Sequence, residues 1–229
     1  MKMEIKLANE RFDAIISQVR KGSSVADIGC DHAYVSCKLV QLGISKRVYA
    51  SDVREGPLQA AKANIERYGF SNHITAHLAD GLDGVENFAP DDIIIAGMGG
   101  ELISNIINKS KYVKNSNVNL ILQPMTSTYE LRVYLLQNGF EIKSELLCRD
   151  SGKIYEIILC SYSGNITATE EEFLHIGLKT HSDPLFREFV LKKIGKFEHI
   201  LKGKEFSKKE CDYESKLIEN FKKMIGEET

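Results

Sequence analysis

The run Asp27-Ile28-Gly29-Cys30-Asp31-His32-Ala33 follows directly on a short apolar stretch. A glycine turn between a strand and a helix brings backbone N–H groups close to a ligand. A dinucleotide site would need Gly-x-Gly-x-x-Gly to admit a pyrophosphate. Here Gly29 stands alone and an acid, Asp27, precedes it. Carboxylates at such a turn repel a pyrophosphate and suit a cationic ligand. S-adenosylmethionine has that chemistry, with a sulfonium, an ammonium and no phosphate. Taken by itself, the run also reads as a tight turn with a capping aspartate.

Three more apolar runs end in ligand-type residues. Asp52-Val53 closes the second, where a carboxylate can accept both ribose hydroxyls. Asp80-Gly81 follows the third, where an acid can accept from an adenine amino group. Gly97-Met98-Gly99-Gly100 closes the fourth, and its glycines let the backbone approach a methyl group and its acceptor. The expected cofactor-binding residues are Asp27, Gly29, Cys30, Asp52, Val53, Asp80, Gly81, Gly97 and Met98. No cluster has metal-ligand spacing, since His73 and His77 flank a strand rather than share a helical face, and no metal is expected.

The elements that must hold these residues alternate. Ser24–Ile28, Arg47–Ser51, Ile74–Ala79, Ile93–Ala96 and Asn119–Leu122 read as strands. Leu7–Arg20, Ala33–Leu42, Pro57–Tyr68, Leu102–Ile107 and Thr128–Asn138 read as helices, with Gly43, Gly69, Gly97 and Gly139 at the joins. Val25-Ala26-Asp27-Ile28 and Asp92-Ile93-Ile94-Ile95-Ala96 are near-continuous apolar runs, the signature of parallel strands covered on both faces. Phe140–Cys148 and Ile154–Ser161 are joined too closely for a crossover, so the sheet closes with an antiparallel hairpin. The expected fold class is α/β, a Rossmann-like methyltransferase sheet.

Beyond Ser163-Gly164-Asn165 the strands stop. Thr169-Glu170-Glu171-Glu172 and Ser207-Lys208-Lys209-Glu210 read as capping boxes, and Asp183-Pro184 as a helix start. Phe186, Val190, Ile194, Phe197 and Leu201, then Cys211, Glu214, Ile218, Phe221 and Ile225, have near-heptad spacing on either side of Gly203, which is expected to break the first helix. An antiparallel helical hairpin is implied. The expected division is residues 1–163 for cofactor binding and 164–229 for the hairpin. From Arg187 to Lys209 the chain carries eight Lys or Arg against three Glu, in a protein of net charge −2. That is a candidate phosphate-facing stripe, with Lys192, Lys193 and Lys196 at its centre, or a solvated lysine-rich face.

A chain of 229 residues with 43% hydrophobic and 27% charged residues is an ordinary soluble globular protein. It has no apolar run of membrane-spanning length and no apolar block at its N-terminus. Five scattered cysteines without an export signal favour reduced thiols in the cytoplasm.

Asp27-Ile28-Gly29-Cys30-Asp31-His32-Ala33-Tyr34, Ile95-Ala96-Gly97-Met98-Gly99-Gly100 and Leu122-Gln123-Pro124 resemble the bacterial tRNA (adenine-22-N1)-methyltransferases, TrmK. So do Leu7-Ala8-Asn9-Glu10-Arg11 and Lys153-Ile154-Tyr155-Glu156, and the match runs from about Leu7 to Ser161. The resemblance implies a class I methyltransferase fold with a C-terminal antiparallel coiled coil. It also implies methyl transfer from S-adenosylmethionine to N1 of an adenine in the D-arm of tRNA. The expected partner is tRNA, with no membrane and no DNA, for a monomer or weak dimer.

Adenine N1 already holds an in-plane lone pair, so the reaction is mainly a positioning problem. Its product is a cation, and a nearby carboxylate would stabilise the developing charge. Asp31 is the candidate for that role, although it could instead bind the methionine ammonium or cap the first helix. Tyr34 could stack on the base or pack in the core. Gln123-Pro124, after the fifth strand, could read the edge of a flipped base or simply form a turn. Gly99 stands beside the acceptor, and Arg11, Arg54 and Arg132 lie near strand-end loops where phosphate could sit. The Asn/Asp-Pro-Pro-aromatic motif of amine methylation is absent, which fits ring-nitrogen chemistry. A small-molecule or protein methyltransferase, and an inactive RNA-binding module, are the competing readings. The second conflicts with the intact Asp27, Asp52 and Asp80, and a nicotinamide oxidoreductase with the missing glycines.

Overall fold

The computed structural model describes residues 9–178, 182–206 and 211–227, without the side chains of residues 205 and 206. Seven strands form one sheet: β1 (Val25–Ile28), β2 (Val48–Asp52), β3 (Ile74–Leu78), β4 (Asp92–Gly99), β5 (Asn119–Thr126), β6 (Phe140–Asp150) and β7 (Lys153–Tyr162). Their order is β3-β2-β1-β4-β5-β7-β6. The first five pair in parallel, and β7 enters between β5 and β6 as an antiparallel strand. Order reverses at β1 and β4, the point where open α/β sheets open a ligand crevice.

The covering helices are α1 (Glu10–Ser17), α2 (Tyr34–Gln41), α3 (Glu55–Arg67), α4 (Val85–Phe88), α5 (Gly100–Lys109) and α6 (Thr128–Gln137). Asn9 caps α1 by accepting from the Phe12 N–H at 3.0 Å. One apolar layer holds Ile93, Ile95, Ile103, Leu120 and Leu131; the opposite layer holds Ile15, Val25, Leu39, Ile94 and Ile121. Adjacent residues of β4 thus feed opposite layers, which explains why its sequence is apolar throughout.

Three further helices follow: α7 (Glu171–Ile176), α8 (Phe186–Phe206) and α9 (Asp212–Met224). Arg187 pairs with Glu227 at 2.6 Å and Lys204 with Glu214 at 2.8 Å, so α8 and α9 run antiparallel. Phe189, Val190, Phe197, Leu217 and Phe221 form their shared core, which reaches the sheet through Leu147. No helix among the described residues is long and apolar enough to cross a membrane.

Several local expectations need correction. Gly203 does not break α8, which continues to Phe206; glycine costs a helix interior only about 1 kcal/mol, and the buried apolar stripe outweighs it. The N-cap of α7 is Glu170, not Thr169. Asp183-Pro184 lies just before α8: Asp183 accepts from the Leu185 N–H at 2.8 Å and from the Leu147 N–H of β6 at 3.2 Å. The capping box at Ser207 lies outside the described residues. Gln123 and Pro124 belong to β5 rather than to a following turn. Proline is tolerated there because the β4–β5 register shifts between Ala96 and Met98, relieving the ladder.

Candidate active site

A cavity of about 720 Å³ opens where β1, β2, β4 and β5 end. Fourteen of the residues singled out from the sequence line it: Arg11, Asp27, Gly29, Cys30, Asp31, Tyr34, Asp52, Val53, Arg54, Asp80, Gly81, Gly97, Met98 and Gln123. Gly99, Pro124, Arg132, Lys192, Lys193 and Lys196 do not.

The turn after β1 is set by backbone chemistry. Gly29 and Cys30 both donate N–H to the Ser51 carbonyl at 2.8 Å. Gly29 has φ +71, and a Cβ there would stand 2.1 Å from the Met98 Cε. The left-handed backbone is what favours glycine here, since the Met98 methyl is the end of a flexible side chain and can swing aside. Asp31 (φ 49) and Ala33 (φ 56) are left-handed as well, which concentrates backbone strain at this turn.

Four carboxylates surround the cavity in distinct environments. Asp27 is buried, and its carboxylate accepts from the Ser36 hydroxyl at 2.6 Å. Burial pushes the Asp27 carboxyl up to about 6, against the opposing pull of its Ser36 hydrogen bonds. Asp52 is buried and accepts from the Arg54 N–H at 2.9 Å and the Asp31 N–H at 3.3 Å. Asp31 is exposed, with His32 Nε2 at 3.7 Å. Asp80 is exposed, with Lys109 at 3.4 Å.

Between Asp52 and Asp80 the wall is apolar. Val53 and Leu102, 60% and 52% exposed, line this cavity together with Ile106. Exposed aliphatic side chains flanking a cleft suit the faces of a planar base, and acids at its rim suit amino and hydroxyl donors. With Asp27 and Asp31 at the glycine turn, the set of acceptors fits S-adenosylmethionine from adenine to ammonium. Sequence reading missed Leu102 and Ile106 because a helix-period pattern cannot tell a core face from a ligand face.

The Asp27 shift has a testable sign. The fold raises this carboxyl above its ordinary 3.8, so its contribution to stability is full at low pH and is lost as pH rises through about 6. Binding of an ammonium has the opposite preference, because only the ionised form attracts it. Cofactor affinity is therefore expected to rise as pH increases from 5 to 7 while the ligand-free protein loses stability. Calorimetric titration beside thermal melts over that range checks it, and an Asp27→Asn variant should show neither trend.

One expected phosphate contact is corrected, and a second residue has an unexpected partner. Arg132 is fully buried, not at a loop. Its guanidinium pairs with Glu145 at 2.8 Å and Glu156 at 2.5 Å and donates to the Leu174 carbonyl at 2.9 Å. Burial works against this charge, but the two carboxylates outweigh it and raise the Arg132 pKa. Lys193 is half-buried: its ammonium lies 4.9 Å from the Phe189 ring centroid and 3.6 Å from Glu156, and burial lowers its pKa. Both residues face inward because the sheet and α8 meet over Glu156. Lys192 is exposed and pairs with Glu188 at 3.0 Å, and Lys196 is exposed on α8.

Comparison with known proteins gives a consistent result. A family model described as "Methyltransferase domain" matches residues 8–158. The tRNA (adenine(22)-N(1))-methyltransferase of Bacillus subtilis (strain 168) is 31% identical over 175 residues, 76% of this chain and 73% of that protein. The crystal structure of the B. subtilis M1A22 tRNA methyltransferase TrmK superposes with a TM-score of 0.84 at 25% identity, covering 97% of this chain and 100% of the other. A Streptococcus pneumoniae protein, solved in complex with S-adenosyl-L-methionine, superposes with a TM-score of 0.81 at 31% identity over 93% and 97% of the two chains. The chain belongs to the methyltransferase-domain family and, within it, to the tRNA (adenine(22)-N1)-methyltransferases.

Proposed function

We propose that this chain transfers a methyl group from S-adenosylmethionine to N1 of adenine 22 in the D-arm of tRNA, in the cytoplasm. The observation that carries the reading is the convergence of Asp27, Asp31, Asp52 and Asp80 on one cavity beside Gly97 and Met98 at the end of β4, in a chain whose relative carries that activity. S-adenosylmethionine supplies an electrophilic methyl group on a sulfonium.

The residues of this chain do the rest. Asp52 accepts from the ribose hydroxyls, and Asp80 from the adenine amino group of the cofactor. Val53, Leu102 and Ile106 hold that adenine between apolar walls. Asp27 holds the ammonium. The β4 bulge at Gly97 and Met98 shapes the opening toward the acceptor. The target adenine must leave its stack to enter, and Tyr34, half-buried at the cavity wall, offers it a ring face. Asp31 offsets the positive charge that moves onto the target base. Arg54, exposed at the mouth, contacts phosphate. The cofactor-binding unit takes in α7, whose Leu174 packs in the core of the sheet, and the α8–α9 hairpin contributes a tRNA surface through Lys192 and Lys196.

Incubation with unmodified tRNA and isotopically labelled cofactor, followed by mass spectrometry of the nucleosides, tests the assignment. Labelled 1-methyladenosine is expected, and its loss when adenine 22 of the tRNA is replaced by guanine. Label in another nucleoside would move the target site. Label appearing only on a non-RNA acceptor would overturn the RNA reading.

A further inference from the structure

We propose that His175 is the positioning residue that fixes the α8–α9 hairpin against the catalytic unit, and that it does so only as a neutral imidazole. The joint stands on contacts within this chain, and its effect on tRNA rests on the function proposed above.

His175 lies in α7, between the two cores: its neighbour Leu174 packs with the sheet and Ile176 with the hairpin. Its ring meets a side chain from each surrounding helix. One face stacks on Tyr129 of α6, with centroids 4.5 Å apart. The Phe197 ring of α8 stands 4.9 Å away at 79°, and the Phe221 ring of α9 6.1 Å away at 82°. Nε2 lies 3.1 Å from the Tyr213 hydroxyl of α9. The α7 backbone is held too, since Arg132 of α6 donates to the His175 carbonyl at 3.4 Å. Tyr129 belongs to the first turn of α6, next to Ser127. A Cβ on Gly100 would stand 2.2 Å from the Ser127 carbonyl. The start of α6 therefore abuts the end of β4, which lines the cavity through Gly97 and Met98. One imidazole thus ties both hairpin helices to a helix that borders the site.

The hydrogen bonds decide which form of the ring fits. Glu171 accepts from the Tyr129 hydroxyl at 3.1 Å and from the Tyr213 hydroxyl at 2.9 Å. With its own proton engaged there, the Tyr213 oxygen accepts and His175 Nε2 donates. The neutral ring then has a bare Nδ1, and a further proton would have to go there. The surroundings oppose it. Burial is the largest cause, and Lys193 and Lys196 of α8 and Arg132 of α6 add repulsion against the attraction of Glu171. Burial also raises the Tyr213 hydroxyl of α9 and the Tyr129 hydroxyl of α6, so neither brings a charge. The His175 pKa is lowered from 6.5 to about 4. Its folded value lies below the ordinary one, so docking is at full strength above pH 6.5 and weakens as pH falls toward 4. His199, the other described histidine of the hairpin, is exposed.

Hydrogen exchange of the full chain without ligands, corrected for intrinsic rates, reads docking as the protection of α8 and α9 relative to β1 and β4. In wild type this relative protection should fall roughly tenfold per pH unit between about 6 and 4.5, the linkage of one proton. His175→Gln keeps a donor toward Tyr213 and cannot gain a proton. It should stay docked at neutral pH and show no such profile. His175→Ala should lose roughly tenfold of the hairpin protection at neutral pH, the worth of a buried hydrogen bond, while β1 and β4 stay protected. Its KM for tRNA should rise more than its kcat falls, with cofactor affinity unchanged. A pH profile that survives in His175→Gln would overturn the proposal, as would hairpin protection unchanged in His175→Ala. A released hairpin with an unchanged KM for tRNA would confirm the joint and overturn the tRNA role of the hairpin instead.

Discussion

Asp31→Asn is expected to lower the single-turnover rate of tRNA methylation by at least ~100-fold, the worth of one preorganised electrostatic group. The sulfonium loses its charge as adenine gains one, so positive charge migrates toward the target base. A carboxylate beside the base gains interaction energy along that path, whereas one that only holds the ammonium does not. Asparagine is the informative replacement. Asp31 has φ 49, a conformation asparagine adopts more readily than most residues, so the turn survives. Size and most hydrogen bonding also survive, and only the charge is removed. Cofactor affinity should fall far less than the rate. A near-normal rate with saturating ligands, beside a large rise in the cofactor dissociation constant, would transfer Asp31 from charge stabilisation to ammonium binding.

The largest effect on stability is expected at Arg132. Arg132→Met removes the cation between Glu145 and Glu156, both buried around it, while keeping an unbranched apolar stem. Glu145 and Glu156 would then lose the cation they share, and only the more distant Lys193, 3.6 Å from Glu156, would offset charge there. Breaking a buried ion pair by deleting one partner costs about 3–5 kcal/mol. Denaturant unfolding followed by circular dichroism reads this as a lower midpoint at constant slope. Adding Glu145→Gln and Glu156→Gln to the same variant should recover much of the loss, since neutral amides need no counter-charge. A loss below about 1 kcal/mol would show that water reaches the carboxylates and that the cluster is less closed than its burial indicates.

What could be read from the sequence follows the range of the interactions involved. The parallel core was legible because β1 and β4 are apolar on both faces, and the site because its acids fall at strand ends. Asp27, Asp52 and Asp80 converge on one cavity as their positions imply. What was not legible is long-range. Arg132 looks like a surface arginine of α6, and its partners Glu145 and Glu156 lie on two later strands. Lys193 belongs to a basic run whose members differ only in which face of α8 they occupy. Pro124 reads as a turn because the register shift that accommodates it resides in the neighbouring strand. Gly203 reads as a helix stop because the propensity of one residue is visible in sequence, while the packing that overrides it is not.

The shell around Arg132 is assembled from widely separated parts of the chain. The guanidinium comes from α6 and the carboxylates from β6 and β7. The Leu174 carbonyl comes from α7, and the Leu178 N–H donates to Glu145 at 2.5 Å. A ribosome synthesising this protein completes the sheet before it has made the last of these groups. Until residue 178 has emerged, the nascent sheet carries a charge cluster that is only partly satisfied. Final closure of the catalytic unit is therefore coupled to the arrival of the segment leading into the hairpin. Any dissection of the protein that keeps the methyltransferase sheet intact has to carry the chain through Leu178.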